Sequence, residues 1–219
     1  SDYNGFEVSC TGFNDGWIDL DISGGYGPFT YFWSNQSILD SIFSLSAGLY
    51  TVTITDSLGC LSDIQITLEE PQNLNANLIL TSDYSGFSIS CYGQNDGSVS
   101  ITPSGGVTPY SILWNGLLAA TNFTTWTLDS IEAGLYSVEI LDANNCVFID
   151  SISLVQPDSL DMIVFEYTDT CSRGVGKANV NITGGVSPYN YLWSNGASAS
   201  SYDDFYEGNY FISVLDNNS

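Results

Sequence analysis

Short runs in which apolar and polar residues alternate fill most of the chain, and three kinds of run recur in a fixed order. The first kind sets Ile18, Leu20 and Ile22 against Asp19 and Asp21, then Val99 and Ile101 against Ser98, Ser100 and Thr102, then Ala178, Val180 and Ile182 against Asn179 and Asn181. A period of two puts each apolar set on one face of an extended strand, buried on that side and wet on the other, as in antiparallel sheets. The second kind is aromatic: Phe29, Tyr31 and Trp33, then Tyr110, Ile112 and Trp114, then Tyr189, Tyr191 and Trp193. The third aligns Tyr50, Val52 and Ile54 with Tyr136, Val138 and Ile140 and with Tyr210, Ile212 and Val214. These aromatic and β-branched sets are expected to form the core. No stretch of useful length has helical periodicity, so the chain reads as all-β.

Turn chemistry separates the runs. A Gly-Gly pair and a proline precede each aromatic run, at Gly24-Gly25 with Pro28, Gly105-Gly106 with Pro109, and Gly184-Gly185 with Pro188. The tryptophans lie 114 − 33 = 81 and 193 − 114 = 79 positions apart, so an array of similar units is expected. Asn14-Asp15-Gly16 and Asn95-Asp96-Gly97 read as tight turns, while the third copy has Arg173-Gly174-Val175-Gly176 there. Each late strand opens on a tyrosine just after a Gly-containing corner, Gly48 to Tyr50, Gly134 to Tyr136 and Gly208 to Tyr210, the pattern of the tyrosine corner of immunoglobulin-like sandwiches. The expectation is a tandem array of antiparallel immunoglobulin-like sandwiches, about seven short strands each. Pro71 and Pro157 mark the joins, giving units 1–71, without a first strand, 72–157, complete, and 158–219, ending before a last strand. On this reading the chain is a window on a longer array.

Composition removes whole classes of function. Two basic residues against 25 acidic ones give a net charge of −23, which argues against nucleic acid and anionic membrane as direct partners. With 43% hydrophobic and 14% aromatic residues interleaved, the chain is nevertheless a folding one. There is no histidine, and the basic residues are Arg173 and Lys177 alone, so His-dependent triads, zinc-His sites and arginine-clamped phosphoryl transfer are excluded. Asp19 and Asp21 share a strand face, but Ser100 and Thr102 replace them in the next copy, which points to a solvated face. No catalytic residue is assigned.

The series Cys-x-Gly-x-Asn-Asp-Gly, Gly-Gly-x-x-Pro-Tyr-x-x-x-Trp, Ala-Gly-x-Tyr-x-Val and Asp-x-x-x-Cys resembles the SprB repeat of Bacteroidota cell-surface proteins. It is complete in the second unit, nearly so in the first, and partial in the third. The resemblance implies very large exported proteins, commonly secreted by the type IX system, whose repeats serve as stalk or adhesive surface in attachment or gliding motility, with no catalytic activity. It implies an extracellular location and neighbouring repeats of the same chain as partners, with extracellular polysaccharide or a substratum beyond them.

Five cysteines in such a chain suggest an oxidising compartment. The simplest pairing is within units, Cys10 with Cys60 and Cys91 with Cys146; the alternative links consecutive units, as Cys10 with Cys146. On the within-unit reading Cys171 is expected to pair just past residue 219. Calcium is the one cofactor to consider, with Asp15 and Asp96 before strands and Asp56 and Asp142 after them as ligands, against a reading in which these aspartates cap turns. Asp followed by Ser or Thr resembles the Bacteroidota O-glycosylation motif and marks Ser41, Ser57, Ser130, Ser151, Ser159 and Thr170. Phe123 and Trp126 lie off the core pattern, and as exposed loop aromatics they would stack on sugars. The expected function is that of a stalk or adhesin fibre; a carbohydrate-binding array and a calcium-dependent extracellular filament are the alternatives.

Overall fold

A computed structural model of the chain describes residues 1–168 and 174–218. All regular elements among them are strands. The first copy contributes β1 (Gly16–Asp19), β2 (Thr30–Trp33), β3 (Ser41–Leu45), β4 (Gly48–Thr55) and β5 (Leu61–Leu68). The second contributes β6 (Asn75–Leu80), β7 (Gly97–Ser104), β8 (Tyr110–Trp114), β9 (Leu117–Phe123), β10 (Trp126–Ile131), β11 (Gly134–Leu141) and β12 (Val147–Leu154). In the third lie β13 (Asp161–Tyr167), β14 (Gly176–Thr183), β15 (Asn190–Trp193), β16 (Ser201–Phe205) and β17 (Ile212–Leu215). Each copy makes two sheets. Their orders are β1-β3 and β2-β4-β5, then β10-β7-β6 and β12-β11-β8-β9, then β13-β14-β16 and β15-β17.

The aromatic strand pairs antiparallel with the Tyr strand in the same register each time: Trp33 opposite Val52, Trp114 opposite Val138, Trp193 opposite Ile212. Both sheets of the first copy feed one core, in which Ile18, Ile42 and Leu45 from one meet Trp33, Val52, Ile54 and Leu68 from the other. In the third, Ala178, Val180 and Phe205 meet Trp193. Each aliphatic side chain buried in this way contributes roughly 1.5–3 kcal/mol of transfer free energy. The tyrosine corner is present, since Tyr50 Oη donates to the Ser46 carbonyl and Tyr136 Oη to the Glu132 carbonyl, both at 3.0 Å. All-β tandem immunoglobulin-like sandwiches are therefore the architecture.

One local expectation is corrected. Asn-Asp-Gly is not a turn: Gly16 and Gly97 are the first residues of β1 and β7, and the turn lies upstream, where Phe13 N–H donates to Cys10 O and Gln94 N–H to Cys91 O. The glycine serves packing, because a Cβ on Gly97 would stand 2.6 Å from Ile89 Cδ1 and 2.8 Å from Ile131 O. The connection after Trp114 carries a strand of its own. It runs 22 positions to Tyr136, against 17 from Trp33 to Tyr50, and the extra length forms β9, turned back on β8 across Asn115-Gly116, both at positive φ. Asn-Gly between apolar runs is the hairpin signal that identifies it.

The chain divides into two compact units. One comprises Ser1–Asn77, Thr102–Trp126 and Ser137–Asp150; the other comprises Leu78–Ile101, Thr127–Tyr136 and Ser151–Ser219. The division runs through the second copy and not through Pro71 or Pro157, because each join is itself densely bonded.

Candidate functional site

The residues that recur without belonging to a core converge on the joins between copies. At the first join, the linker after β5 is held from both sides. Thr11 Oγ1 donates to the Pro71 carbonyl at 2.7 Å and Gly12 N–H to the Glu70 carboxylate at 2.7 Å, while Gly106 N–H donates to the Gln72 carbonyl at 2.8 Å. The Gly-Gly turn is needed for the last of these: Gly105 and Gly106 have φ of +71° and +55°, and a Cβ on Gly105 would overlap the Asn73 carbonyl oxygen. At the second join Gly185 N–H donates to Asp158 O at 2.9 Å, and a Cβ on Gly184 would overlap the Ser159 carbonyl oxygen.

A carboxylate, buried at Asp142 and Asp216 and half-buried at Asp56, ties each such turn to the turn that follows the Tyr strand. Asp142 accepts from Val107 N–H through Oδ2 at 2.8 Å and from the N–H groups of Asn144 and Cys146 through Oδ1 at 2.8 and 2.9 Å. Asp216 accepts from Val186 and Asn218, and Asp56 from Tyr26, Leu58 and Cys60. Backbone donation, above all from Cys60, holds the Asp56 carboxyl below its ordinary value of 3.8. These oxygens are occupied by backbone amides of the two loops they join.

From that anchored turn an asparagine reaches back to the preceding copy. Asn144 Nδ2 donates to the carbonyls of Tyr3 at 3.1 Å and Ser9 at 2.9 Å, and its Oδ1 accepts from Asn4 Nδ2 at 2.6 Å. Asn218 Nδ2 likewise donates to Tyr84 O at 3.2 Å and Ser90 O at 3.0 Å, and its Oδ1 accepts from Ser85 Oγ at 3.1 Å. The receiving loops are pinned by Asp15, which accepts from Ser9 N–H and Oγ, and Asp96, which accepts from Ser90 N–H. Burial pushes the Asp96 carboxyl upward, but hydrogen bonds from the Ser90 hydroxyl and amide outweigh it and leave the group below 3.8.

The first join is also covalent. Cys10 and Cys146 form a disulfide across a sequence separation of 136 residues. The pairing of Cys10 with Cys60 and of Cys91 with Cys146 is thus corrected to the between-copy alternative, and Cys60 and Cys91 carry free thiols. The reason is topological: β4 and β5 carry the Cys60 hairpin away from Cys10, whereas the hairpin of the next copy is seated on the Tyr3–Ser9 loop. Cys171, Thr170 and Arg173 lie outside the described residues.

The other candidates are placed as follows. Asp15, Asp96, Asp56 and Asp142 sit in separate loops, each bonded as above, and no group of three His, Cys, Asp or Glu suited to a metal occurs among the described residues. Phe123 and Trp126 are half-buried in or beside β9 and β10, with rings 6.5 Å from Tyr110 and 6.0 Å from Trp114. Trp33 and Trp193 are buried, whereas Trp114 is only half-buried. Ser41, Ser130 and Ser151 lie in strands β3, β10 and β12 rather than in loops, and Ser41 Oγ donates to Asp19. Ser57 and Ser159 lie in loops, Ser57 donating to Tyr26 O. A feature that the sequence pattern did not single out is the cross-strand pair Trp17 and Phe43, stacked at 6.4 Å and 27° and exposed at 42% and 66%. A cavity of about 390 Å³ in the third copy is bordered by Gly176, Trp193 and Phe205. The corresponding glycines of the other copies lie against Leu68 and Leu154, so this space belongs to the core. No helix among the described residues is long and apolar enough to cross a membrane.

Fold and joins define a tandem array of immunoglobulin-like sandwiches. The model of the SprB repeat matches at residues 7–37, 88–118 and 170–198, so the chain carries three copies of the SprB repeat. No curated protein matches the chain. Among solved structures it is similar to three N-terminal domains of the bacteriophage RB49 highly immunogenic outer capsid protein (Hoc), with 14% identity, 94% of this chain and 83% of that one covered, and a TM-score of 0.42. It is also similar to the N-terminal eight Ig domains of Down syndrome cell adhesion molecule (DSCAM), at 11% identity over 89% of this chain and 31% of that one, with a TM-score of 0.30. For murine CEACAM1b the figures are 15% identity, 62% and 88% coverage, and a TM-score of 0.28.

Proposed function

We propose that the chain is a non-catalytic, load-bearing segment of a secreted bacterial surface protein, acting as stalk or adhesin fibre in surface attachment or gliding. The observation that carries this reading is the bonded join: an amide clamp made twice, once reinforced by Cys10–Cys146. A disulfide of this kind persists in an oxidising, extracellular setting. Hydrogen bonds and a disulfide that fix one repeat to the next pass tension along the chain, which a fibre needs and an enzyme does not. The repeats are taken as 1–71, 72–157 and 158–219, partnered by their neighbours in the chain and, beyond them, by polysaccharide or substratum. The test is chymotrypsin shaving of intact cells followed by flow adhesion of beads coated with the full chain. Release without lysis and retention of the beads support the reading; protection until lysis, or reduced Cys10 and Cys146 in native material, overturns it.

The stacked, exposed Trp17 and Phe43 favour a second reading, carbohydrate binding, since paired aromatic faces are suited to sugar rings. Saturable binding on a glycan array that Trp17→Ala abolishes and Trp126→Ala leaves intact is its expected signature; no binding at all removes it.

A further inference from the structure

We propose, resting on the carbohydrate-binding reading, that the exposed sheet face carrying Trp17 and Phe43 takes a glycan bearing free amines, of the glucosamine type. The fold itself does not call for aromatic residues there. Trp17 follows Gly16 at the start of β1, and Phe43 stands opposite it in β3. In the third copy the same two places hold Lys177, which follows Gly176, and Asp203, which precedes Phe205 by two residues as Phe43 precedes Leu45. Those two form an exposed ion pair at 3.2 Å, and in the second copy Ser98 follows Gly97. Copies that fold alike with polar residues at these positions leave packing no claim on the stacked pair, whose side chains are 42% and 66% exposed.

Charge selects the ligand. Ile18 and Ile42 point into the core, so the next cross-strand pair on the outer face is Asp19 and Ser41. Ser41 Oγ donates to Asp19 Oδ1 at 2.5 Å, which leaves Oδ2 for a ligand, and the exposed Asp21 lies two positions further on. No lysine or arginine occurs in residues 1–172, and the Ser1 ammonium donates to the Trp17 carbonyl, at the edge of the strand and not on this face. A uronic or sulfated sugar would therefore be repelled, and a neutral one would gain only ring stacking. A protonated amine gains twice, from the Asp19 carboxylate and from the indole face of Trp17.

The experiment is calorimetric titration of the full chain at about pH 6, where sugar amines are protonated and aspartates ionised. The probes are a glucosamine oligomer, its fully N-acetylated form and a uronic acid oligomer of the same length. The glucosamine oligomer is expected to bind about tenfold more tightly than the acetylated one, and the uronic acid oligomer not at all. Asp19→Asn should remove most of that preference while the acetylated oligomer keeps its affinity. Trp17→Ala, which leaves the net charge unchanged, should abolish binding of both. If the glucosamine oligomer binds Trp17→Ala as well as it binds the parent chain, the interaction is mere attraction to a polyanion and the proposal is overturned. Equal or tighter binding of the acetylated or acidic oligomer, dependent on Trp17, also overturns it but leaves the carbohydrate-binding reading in place. No binding by any of the oligomers removes both. An unreduced digest that retains the Cys10–Cys146 peptide checks that each variant is folded.

Discussion

The two joins share an amide clamp, an anchoring aspartate and a Gly-Gly turn, and among the described residues the first alone is covalent. At the first, Asn144 lies on the carbonyls of Tyr3 and Ser9 and Cys146 is bonded to Cys10; at the second, Asn218 lies on Tyr84 and Ser90 and Cys91 is a free thiol. Registration therefore does not depend on the disulfide. The amide and its anchoring aspartate position the hairpin, and the covalent bond makes that position hard to lose.

The largest effect is expected from turning the first join into a likeness of the second. Cys146→Ser opens a link spanning 136 residues and is expected to destabilise the chain by about 2–5 kcal/mol, read from denaturant unfolding without reductant. Asn144 should still protect its hairpin from hydrogen exchange in that variant; loss of this protection would show that the disulfide, not the amide, sets the register.

Next is the turn that grips the linker. Gly105→Ala combines a φ of +71° with overlap of the Asn73 carbonyl and is expected to cost about 2–4 kcal/mol. Gly24→Ala, at φ +89° with nothing within 4 Å, should cost only about 1–2 kcal/mol. Equal losses in thermal or denaturant unfolding would mean that the linker grip contributes nothing.

A smaller difference separates the asparagines. Asn218→Ala removes two amide hydrogen bonds and is expected to weaken the turn after β17 by about 1–2 kcal/mol, seen as roughly tenfold faster exchange of its amides. Asn144→Ala should speed exchange less, because Cys10–Cys146 still holds its hairpin.

The smallest effect is the acid response. Asp56 and Asp96 have folded-state values below 3.8, so their contribution is fully present above the unfolded value and is lost as pH falls through the folded one. Stability is expected to decline below about pH 4, and Asp96→Asn should flatten part of that decline in acid titration followed by fluorescence.

How far the joins were readable depends on whether a signal is local. The Gly-Gly turns, the Tyr and Trp strands and the recurrence of Asp56 and Asp142 were visible as pattern, because backbone conformation and strand periodicity are written in near neighbours. The role of those aspartates was not. An Asp with its own turn amides and an Asp offered to a cation look alike until the N–H groups of Val107 and Val186 are seen aimed at Asp142 and Asp216. Asn144 gave no signal, since its partners Tyr3 and Ser9 are over 130 residues away in sequence.

Alternation, turn residues and the threefold recurrence determined by themselves an all-β chain of tandem sandwiches with tyrosine corners, because each rests on the local sterics and period of a strand. Cysteine pairing, the packing role of Gly16 and Gly97, and the half-buried place of Trp114 beside Trp126 were decided only by tertiary structure. Each depends on which distant segment arrives next to it. For Cys10 that segment is the hairpin of the following copy, delivered by an aspartate and an asparagine whose bonds no local pattern records.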